Sequence, residues 1–223
     1  GNLFESYVEK LFPEAIKIGF DIQNFDTYNS MPRRTKEAID SDAKVILQGR
    51  LEVDNTTCIF DVIKKVEGNT FDLIEIKGSS SEKPEHSYDL AFQKEVLENE
   101  GLNIRNTSVI HYNKDYVRNG EIDIQKLTTE KDVTEEVNSL KEITKNQIQE
   151  ALDILENDKC PDLSPRYINQ LQVKGTDWKK YWMEIFFYLK KDTPKYSIYK
   201  LCRLDPTLIG ILEDSKIEDI KDI

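Results

Sequence analysis

The chain has 223 residues and a formal net charge of −11; 38% of its residues are hydrophobic and 33% are charged. This composition predicts a globular protein with one main domain and a smaller appended unit. No apolar run approaches the ~20 residues that cross a bilayer, so we exclude a membrane protein and expect a cytoplasmic one. The acidic charge counts against a nucleic-acid partner, which normally requires clustered Lys and Arg.

Two helices are predicted near the N-terminus. Apolar residues in NLFESYVEKLF recur at helical spacing, and Pro13 ends that pattern. After a short apolar piece, AIKIGF, the segment MPRRTKEAI predicts a second helix with Pro32 in its first turn. This helix carries a compact basic cluster, which we expect to be exposed: Arg33, Arg34 and Lys36.

Beyond Ala43 the apolar residues alternate, which predicts strands instead of helices. VILQGRLEV, TTCIFDVIKKV and FDLIEIKG form the expected antiparallel meander. The second and third of these strands are apolar on both alternations, so helices should cover both faces of the sheet.

The rest of the chain predicts more helix than strand. YDLAFQKEVLENEG predicts a helix that ends at Gly101, and NTSVIHYN a fourth strand. A long amphipathic helix is expected from Asp132 to Asn157, with further helices after it, WKKYWMEIFFYL among them. The succession predicts an α/β fold with a mixed central sheet flanked by helices over residues 1–135, and a helical C-terminal region over residues 136–223.

Three charged residues stand on the second and third strands. Asp61 interrupts an apolar strand, and Glu75 and Lys77 end the next one. Directly opposed residues of antiparallel strands point to the same face, so Asp61 can face Glu75 only if the pairing centres on Gly68. We therefore predict an odd-numbered turn, such as a three-residue loop, or a bulge. A regular two-residue turn would separate the carboxylates.

Two carboxylates so close repel each other unless a cation holds them. Asp61 and Glu75 would each give a hard oxygen and the carbonyl of Ile76 a third, which leaves positions for water and a phosphate oxygen, as Mg²⁺ prefers. Lys77 would orient an attacking water or neutralise charge on the phosphate.

These motifs resemble, in order, those of a RecB-like member of the PD-(D/E)XK nuclease superfamily. FDVIKK carries Asp61, LIEIKGSS carries Glu75 and Lys77, and YDLAFQ carries Tyr88, Asp89 and Gln93. The resemblance extends over residues 2–137 and implies a restriction-endonuclease-like core. It implies a nuclease that hydrolyses DNA with Mg²⁺ or Mn²⁺, exonuclease rather than endonuclease, in which Gln93 and Tyr88 orient the site or the phosphate. DNA is the expected partner, together with fused or associated repair proteins.

The resemblance also points to further residues. An acidic residue of the first helix often completes the metal site in this family, and FESYVEKLFP offers Glu5 as the better candidate and Glu9 as the lesser. Both share one helix face, so a solvated face is an alternative. Arg33, Arg34 and Lys36 are candidates to contact a backbone phosphate, although we favour a plain exposed helix face.

Some relatives hold an iron–sulfur cluster with four C-terminal cysteines. Cys58, Cys160 and Cys202 are too few and too far apart for that, so we expect no cluster. The main alternative to an enzyme is a catalytically inactive interaction module that keeps the nuclease fold, which the acidic charge and the missing cysteines favour. A plain α/β domain with a coincidental ion pair is the third. His86 and His111 lack a ligand motif and are expected to be surface or strand residues.

Overall fold

The computed structural model describes residues 2–157, 159–169, 178–201 and 205–223. They divide into two compact units, Gly1–Leu155 and Glu156–Ile223. The first unit is built on a six-stranded sheet whose strand order follows the chain. Its strands are β1 (Ile16–Lys17), β2 (Val45–Val53), β3 (Thr56–Glu67), β4 (Thr70–Lys77), β5 (Asn103–Tyr112) and β6 (Thr128–Asp132).

The sheet is mixed. β1 pairs with β2 and β4 pairs with β5 in parallel, and the other neighbouring strands are antiparallel. The predicted meander and fourth strand are confirmed. β6 was not predicted, because its sequence TTEKD is polar and its side chains are mostly exposed, as is common at a sheet edge.

Helices flank the sheet and make up most of the second unit's regular structure. They are α1 (Asn2–Val8), α2 (Phe25–Asn29), α3 (Met31–Asp40), α4 (Pro84–Asn99), α5 (Ile124–Leu127), α6 (Thr134–Ser139), α7 (Lys141–Glu156), α8 (Trp178–Leu189) and α9 (Pro206–Asp214). α8 occupies the predicted helix WKKYWMEIFFYL. None of the helices in the described ranges is long and apolar enough to cross a membrane.

Two apolar layers bury the two faces of the sheet, as the double-sided strands predicted. On one face α3, α4 and α6 pack on β2 to β5 through Ala38, Phe60, Leu73, Leu90 and Val137. On the other face α1 packs through Val8 on Leu47, Val62, Ile74 and Ile110. The α/β class with a mixed sheet between helices is therefore confirmed.

The predicted single helix from Asp132 to Asn157 is wrong, since α6 and α7 are separate helices on either side of Leu140. Contacts to α4 fix α6 in place: Val137 is buried, and Asn138 Oδ1 accepts a hydrogen bond from Lys94 Nζ at 2.8 Å. Lys145 of α7 lies 3.7 Å from Glu95 of α4. These contacts keep α6 and α7 with the sheet, within the compact unit Gly1–Leu155.

The hairpin between β3 and β4 contains the predicted bulge. Val62 pairs with Ile74, a register centred on residue 68, whereas Glu67 pairs with Thr70 across a two-residue turn. The registers are reconciled by an irregularity between Lys65 and Glu67. The bulge therefore gives the register that places Asp61 and Glu75 on the same face. The three-residue loop suggested as its alternative does not form.

Gly49, in the middle of β2, leaves room for an aromatic ring of β3. Gly49 pairs with Phe60, and a Cβ placed on Gly49 would lie 2.3 Å from Phe60 Cζ. Phe60 is fully buried, so its ring has little room to retreat. The position therefore requires glycine for a packing reason, which the sequence alone did not reveal.

The second unit has a small core of its own. Phe186, Ile198, Tyr199 and Ile209 are its buried apolar residues. Beside this core Glu213 accepts hydrogen bonds from Ser164 and Tyr199, at 2.7 and 2.8 Å. Apolar packing thus joins α8 and α9, and the polar network joins α9 to the segments that carry Ser164 and Tyr199.

We expect Gly49→Ala to destabilise the first unit by about 1–3 kcal/mol, because the added methyl group overpacks a rigid core. Urea unfolding followed by far-ultraviolet circular dichroism would measure the change. Phe60→Leu supplies the control: in that background, where the ring is gone, Gly49→Ala should cost clearly less. Equal costs in the two backgrounds would contradict the steric explanation.

Candidate functional site

Asp61 and Glu75 meet where β3 and β4 separate. The register that pairs Val62 with Ile74 would place Asp61 opposite Glu75, but the strand pairing stops one step earlier. Asp61 Oδ2 instead accepts a hydrogen bond from the backbone N–H of Ile76, at 2.7 Å. The N–H and C=O of one strand residue point toward the same neighbouring strand, so the Ile76 carbonyl faces the same gap. Three oxygen-bearing groups thus converge there.

β2 is also irregular beside Asp61. Leu47 and Gly49 pair with β3, but the intervening Gln48 has no strand partner. Its φ is 50°, in the left-handed region that non-glycine residues rarely adopt. Asp61 is therefore flanked on both sides by interrupted strand pairing. Strained backbone of this kind concentrates at functional sites, where the surrounding fold sustains it.

Two elements hold the Glu75 carboxylate. Glu75 is buried, and its Oε2 accepts a hydrogen bond from Gln93 Nε2 at 2.9 Å. Lys77 Nζ lies 2.8 Å from Glu75 Oε1 and 3.0 Å from Asp89 Oδ2. Asp89 and Gln93 are one helical turn apart on α4, so both reach the end of β4. The structure therefore brings together Asp61, Glu75, Lys77 and Gln93, which the sequence singled out.

The charges of this group are unbalanced. Burial is the main cause that raises the pKa of Asp61 to about 7, and the negative charge of Glu75 adds to it. The hydrogen bond from Ile76 and the ammonium of Lys77 act in the opposite direction but are outweighed. The lysine already pairs with Glu75, so it does not neutralise Asp61 fully. The arrangement therefore favours uptake of a proton or another cation.

Lys77 is a cation in this site and not a base. Burial acts to lower the pKa of Lys77, but the hydrogen bonds and charges of Glu75 and Asp89 together raise it above its usual value. The side chain is thus an ammonium at neutral pH. It can donate hydrogen bonds and stabilise negative charge, but it cannot accept a proton from water.

The donor set suits a hard divalent cation that keeps part of its water shell. Within the described ranges, no three or more His, Cys, Asp or Glu side chains are grouped to hold a metal ion. Mg²⁺, however, is commonly bound by one or two carboxylates together with waters and phosphate oxygens. Asp61, Glu75 and the carbonyl of Ile76 match that pattern. The half-buried carboxylate of Asp61, whose pKa is raised beside Glu75, is the observation that most favours such a cation.

The structure distinguishes the two acidic residues near the N-terminus. Glu9 lies 2.7 Å from Lys17 in an ion pair. Glu5, on α1, is half-buried, and its negative charge is one of the causes that raise the pKa of Asp61. Glu5 is therefore the acidic residue whose charge acts on the site, and it remains the candidate additional ligand. The ion pair with Glu9 also occupies the ammonium of Lys17.

Tyr88 lies apart from the carboxylates. It is 45% exposed on α4 and lines a groove with Phe92 and the start of β3. Among the described residues it has no hydrogen bond to Asp61, Glu75 or Lys77. Its predicted role in orienting the site is thus not supported by a direct contact.

The basic cluster of α3 is only partly exposed. Arg33 and Lys36 lie on the surface in ion pairs. Arg34 is half-buried, which corrects the expectation of an exposed side chain, because its guanidinium binds the loop that leads into α3. It donates to the carbonyls of Ile18, Gly19 and Thr27 at 2.7, 2.8 and 2.7 Å. Phosphate contact by this cluster remains a prediction that the structure does not test.

Both histidines are buried near Lys77. His111 pairs directly with Lys77 across β4 and β5 and is 8% exposed. His86, in the first turn of α4, accepts a hydrogen bond at Nδ1 from the backbone N–H of Lys83 at 3.1 Å. Burial is the main cause that lowers the pKa of His86, and Lys77 adds to it. Sequence spacing could not reveal these positions, because they depend on the parallel pairing of β5 and on where α4 begins.

The two cysteines that the structure describes differ in exposure. Cys58 is buried and Cys160 is exposed. Cys202 lies outside the described residues. Burial raises the pKa of Cys58 to about 12, so this thiol is protonated and unreactive at neutral pH.

Comparison with known proteins gives little further information. No protein-family model and no curated protein matches the chain. A solved structure described as "Crystal structure of SSO0001" matches at 14% identity with a TM-score of 0.27, covering 78% of this chain and 96% of the other. A similarity at that level defines neither fold nor function, so the case for function depends on the site itself.

We expect Asp61→Asn to stabilise the metal-free protein at high pH. Because the folded-state pKa is raised, folded Asp61 stays protonated where unfolded Asp61 is ionised, and wild-type stability falls as pH rises from roughly 4 to 7. The variant should equal wild type near pH 4 and exceed it by on the order of 2–4 kcal/mol near pH 8. Urea unfolding in EDTA measures both.

Asp40→Asn is the matched control, since Asp40 is exposed and the substitution changes the net charge equally. It should show no such pH-dependent gain. A gain in the control as large as in Asp61→Asn would assign the effect to net charge instead of to the site.

We expect Arg34→Met to destabilise the protein by about 1–3 kcal/mol, because several carbonyl groups lose their donor. Arg33→Met, one residue away in an exposed ion pair, should change stability by less than about 0.5 kcal/mol. Thermal and urea unfolding of the two variants compare them directly. Similar effects would show that the contacts of Arg34 do not stabilise the loop.

Proposed function

We propose that this chain is a RecB-like nuclease domain of the PD-(D/E)XK superfamily that hydrolyses DNA phosphodiester bonds with Mg²⁺ or Mn²⁺. The observation that carries the proposal is the pair of carboxylates at the separation of β3 and β4. Asp61 has a pKa raised to about 7, while Glu75 is fixed by Lys77 and Gln93. The mixed sheet between helices is compatible with a restriction-endonuclease-like core, which forms part of the proposal.

Each residue has a separate task in the proposed reaction. Asp61, Glu75 and the Ile76 carbonyl would hold the cation, with Glu5 as a further acidic residue. When bound, the cation would act as a Lewis acid that polarises the phosphate and lowers the pKa of the attacking water. Gln93 keeps the Glu75 carboxylate in place through its 2.9 Å hydrogen bond.

Lys77 acts on the water and on the phosphate. Its ammonium can donate a hydrogen bond to the attacking water and can stabilise the negative charge that develops on the phosphate oxygens. Asp89, 3.0 Å from Lys77 Nζ, helps to aim it. Because the lysine is protonated, it positions the water and does not take its proton.

The alternative is an inactive interaction module with the same fold. The net charge of −11 favours it, since DNA binding usually needs a basic surface. Such a module would need neither the unbalanced charge of Asp61 nor the fixed geometry of Lys77. Cation binding and DNA cleavage therefore separate the two candidates.

Cleavage of single- and double-stranded DNA with Mg²⁺, Mn²⁺ or EDTA is the direct test. We expect metal-dependent cleavage that Glu75→Gln and Lys77→Met each reduce by about 100-fold or more, as loss of one transition-state contact commonly does. Lys64→Met is the matched control, because Lys64 is exposed on β3 and should be dispensable. Equal losses in the control, or no cleavage by wild type, would contradict the assignment.

A second measurement reports on the cation without requiring catalysis. Mn²⁺ should raise the thermal midpoint of wild type at about pH 8, because it binds the folded state and relieves carboxylate repulsion. Asp61→Asn should lose most of that shift. A shift that persists in the variant would place the cation elsewhere, and its absence in wild type would favour the interaction module.

A further inference from the structure

A groove of about 610 Å³ opens beside the site between α4, α7 and the start of β3. Its volume lies within the usual range of small-ligand pockets. Asp89 and Gln93, which contact Lys77 and Glu75, belong to its lining. The groove is therefore continuous with the carboxylate site.

We infer that this groove binds the nucleobase of the nucleotide adjacent to the scissile phosphate, so that the substrate is DNA whose bases are unpaired at that point. The inference rests on the proposed nuclease function and specifies the substrate of the same site. It also gives a task to Tyr88, which lines the groove and makes no hydrogen bond to the carboxylates among the described residues.

The lining of the groove suits a planar, partly polar ligand. Tyr88 and Phe92 provide aromatic surface, and Tyr88 is 45% exposed and thus accessible. Ile148 and Leu152 of α7 provide apolar contact on the opposite side. Stacking on aromatic side chains is the usual way in which proteins bind single-stranded bases without reading their sequence.

The side chain of Gln93 contributes a hydrogen-bond acceptor that has no donor among the described residues. Its Nε2 is used by Glu75, while its Oε1 is buried and has no hydrogen-bond partner among the described residues. A buried carbonyl left without a donor is costly, so a ligand that donates to it would be favoured. The exocyclic amino groups of adenine, cytosine and guanine are donors of this kind.

Charge decides which part of a nucleotide can enter. The described lining contains no Lys or Arg, and its one ionisable acid is Asp89. A phosphate would therefore be excluded from the groove, whereas the ammonium of Lys77, which is outside the lining but pairs with Asp89, carries a positive charge. The phosphate would lie at the carboxylate site and the base in the groove. A base of duplex DNA would have to leave its partner and its stack to enter the groove, which costs roughly a few kcal/mol.

The groove also depends on a part of the chain outside the family resemblance. That resemblance ends near residue 137, and α7, which forms one wall, begins at Lys141. The groove thus combines residues of the shared motifs with a wall, α7, that the shared motifs do not supply.

Fluorescence anisotropy with a labelled single-stranded DNA of about ten nucleotides, in Ca²⁺ to limit cleavage, tests the inference. Ala151→Trp should fill the groove from an exposed position of α7 and weaken binding by about tenfold, comparable with the loss of one stacked base. Ile154→Trp, on the same helix but not in the lining, is the matched control and should bind like wild type.

A DNA of the same length with abasic positions should bind wild type about tenfold more weakly than normal DNA, and Ala151→Trp should not weaken it further. Equal binding of normal and abasic DNA, or an unaffected Ala151→Trp variant, would overturn the inference. If cleavage persists in that case, the proposed function stands and only the groove assignment fails. If no DNA is cleaved but binding depends on the bases, the nuclease assignment fails and the base site stands.

Discussion

The repulsion between two neighbouring carboxylates, one buried and one half-buried, is the constraint on which the centre of this protein depends. Among the described residues, Lys77 is the ammonium that pairs with Glu75, and no ammonium pairs with Asp61; desolvation limits the screening of both charges by water. Several otherwise unconnected features fit this constraint. Strand pairing stops on both sides of Asp61, a backbone N–H is released to bind its carboxylate, and α4 presents an acid and an amide to the end of β4. The fold holds the charges together, and a cation would remove the cost.

The helix α4 links the chemistry to the core. On its inner side Leu90 and Val96 are fully buried under the sheet, which fixes the helix axis. Gln93 lies between these positions and is therefore held at a set distance from Glu75. The precision of the polar contacts thus comes from apolar packing that is remote from any substrate. The same packing limits rotation of the Gln93 side chain. Its carbonyl group therefore stays buried although it has no hydrogen-bond donor among the described residues.

Local periodicity predicted most of the central sheet. Alternation of apolar residues located β2, β3 and β4, and parity required the irregularity near Gly68 that places Asp61 opposite Glu75. The failures share one cause, contact between residues distant in sequence. Arg34 looked exposed because its carbonyl partners lie in a preceding loop, and the break between α6 and α7 depends on contacts with α4. β6 was missed because an edge strand needs no apolar alternation. The groove could not be predicted at all, since its walls come from three separate elements.

The bulge between Lys65 and Glu67 lies outside the carboxylate site, yet it determines whether Asp61 and Glu75 lie on the same face of the hairpin. Side chains of a strand alternate strictly, so one residue added to or removed from this turn would send either Asp61 or Glu75 to the opposite layer. Two residues added together would preserve the alignment. The hairpin tip is therefore expected to tolerate changes in length by pairs and not singly.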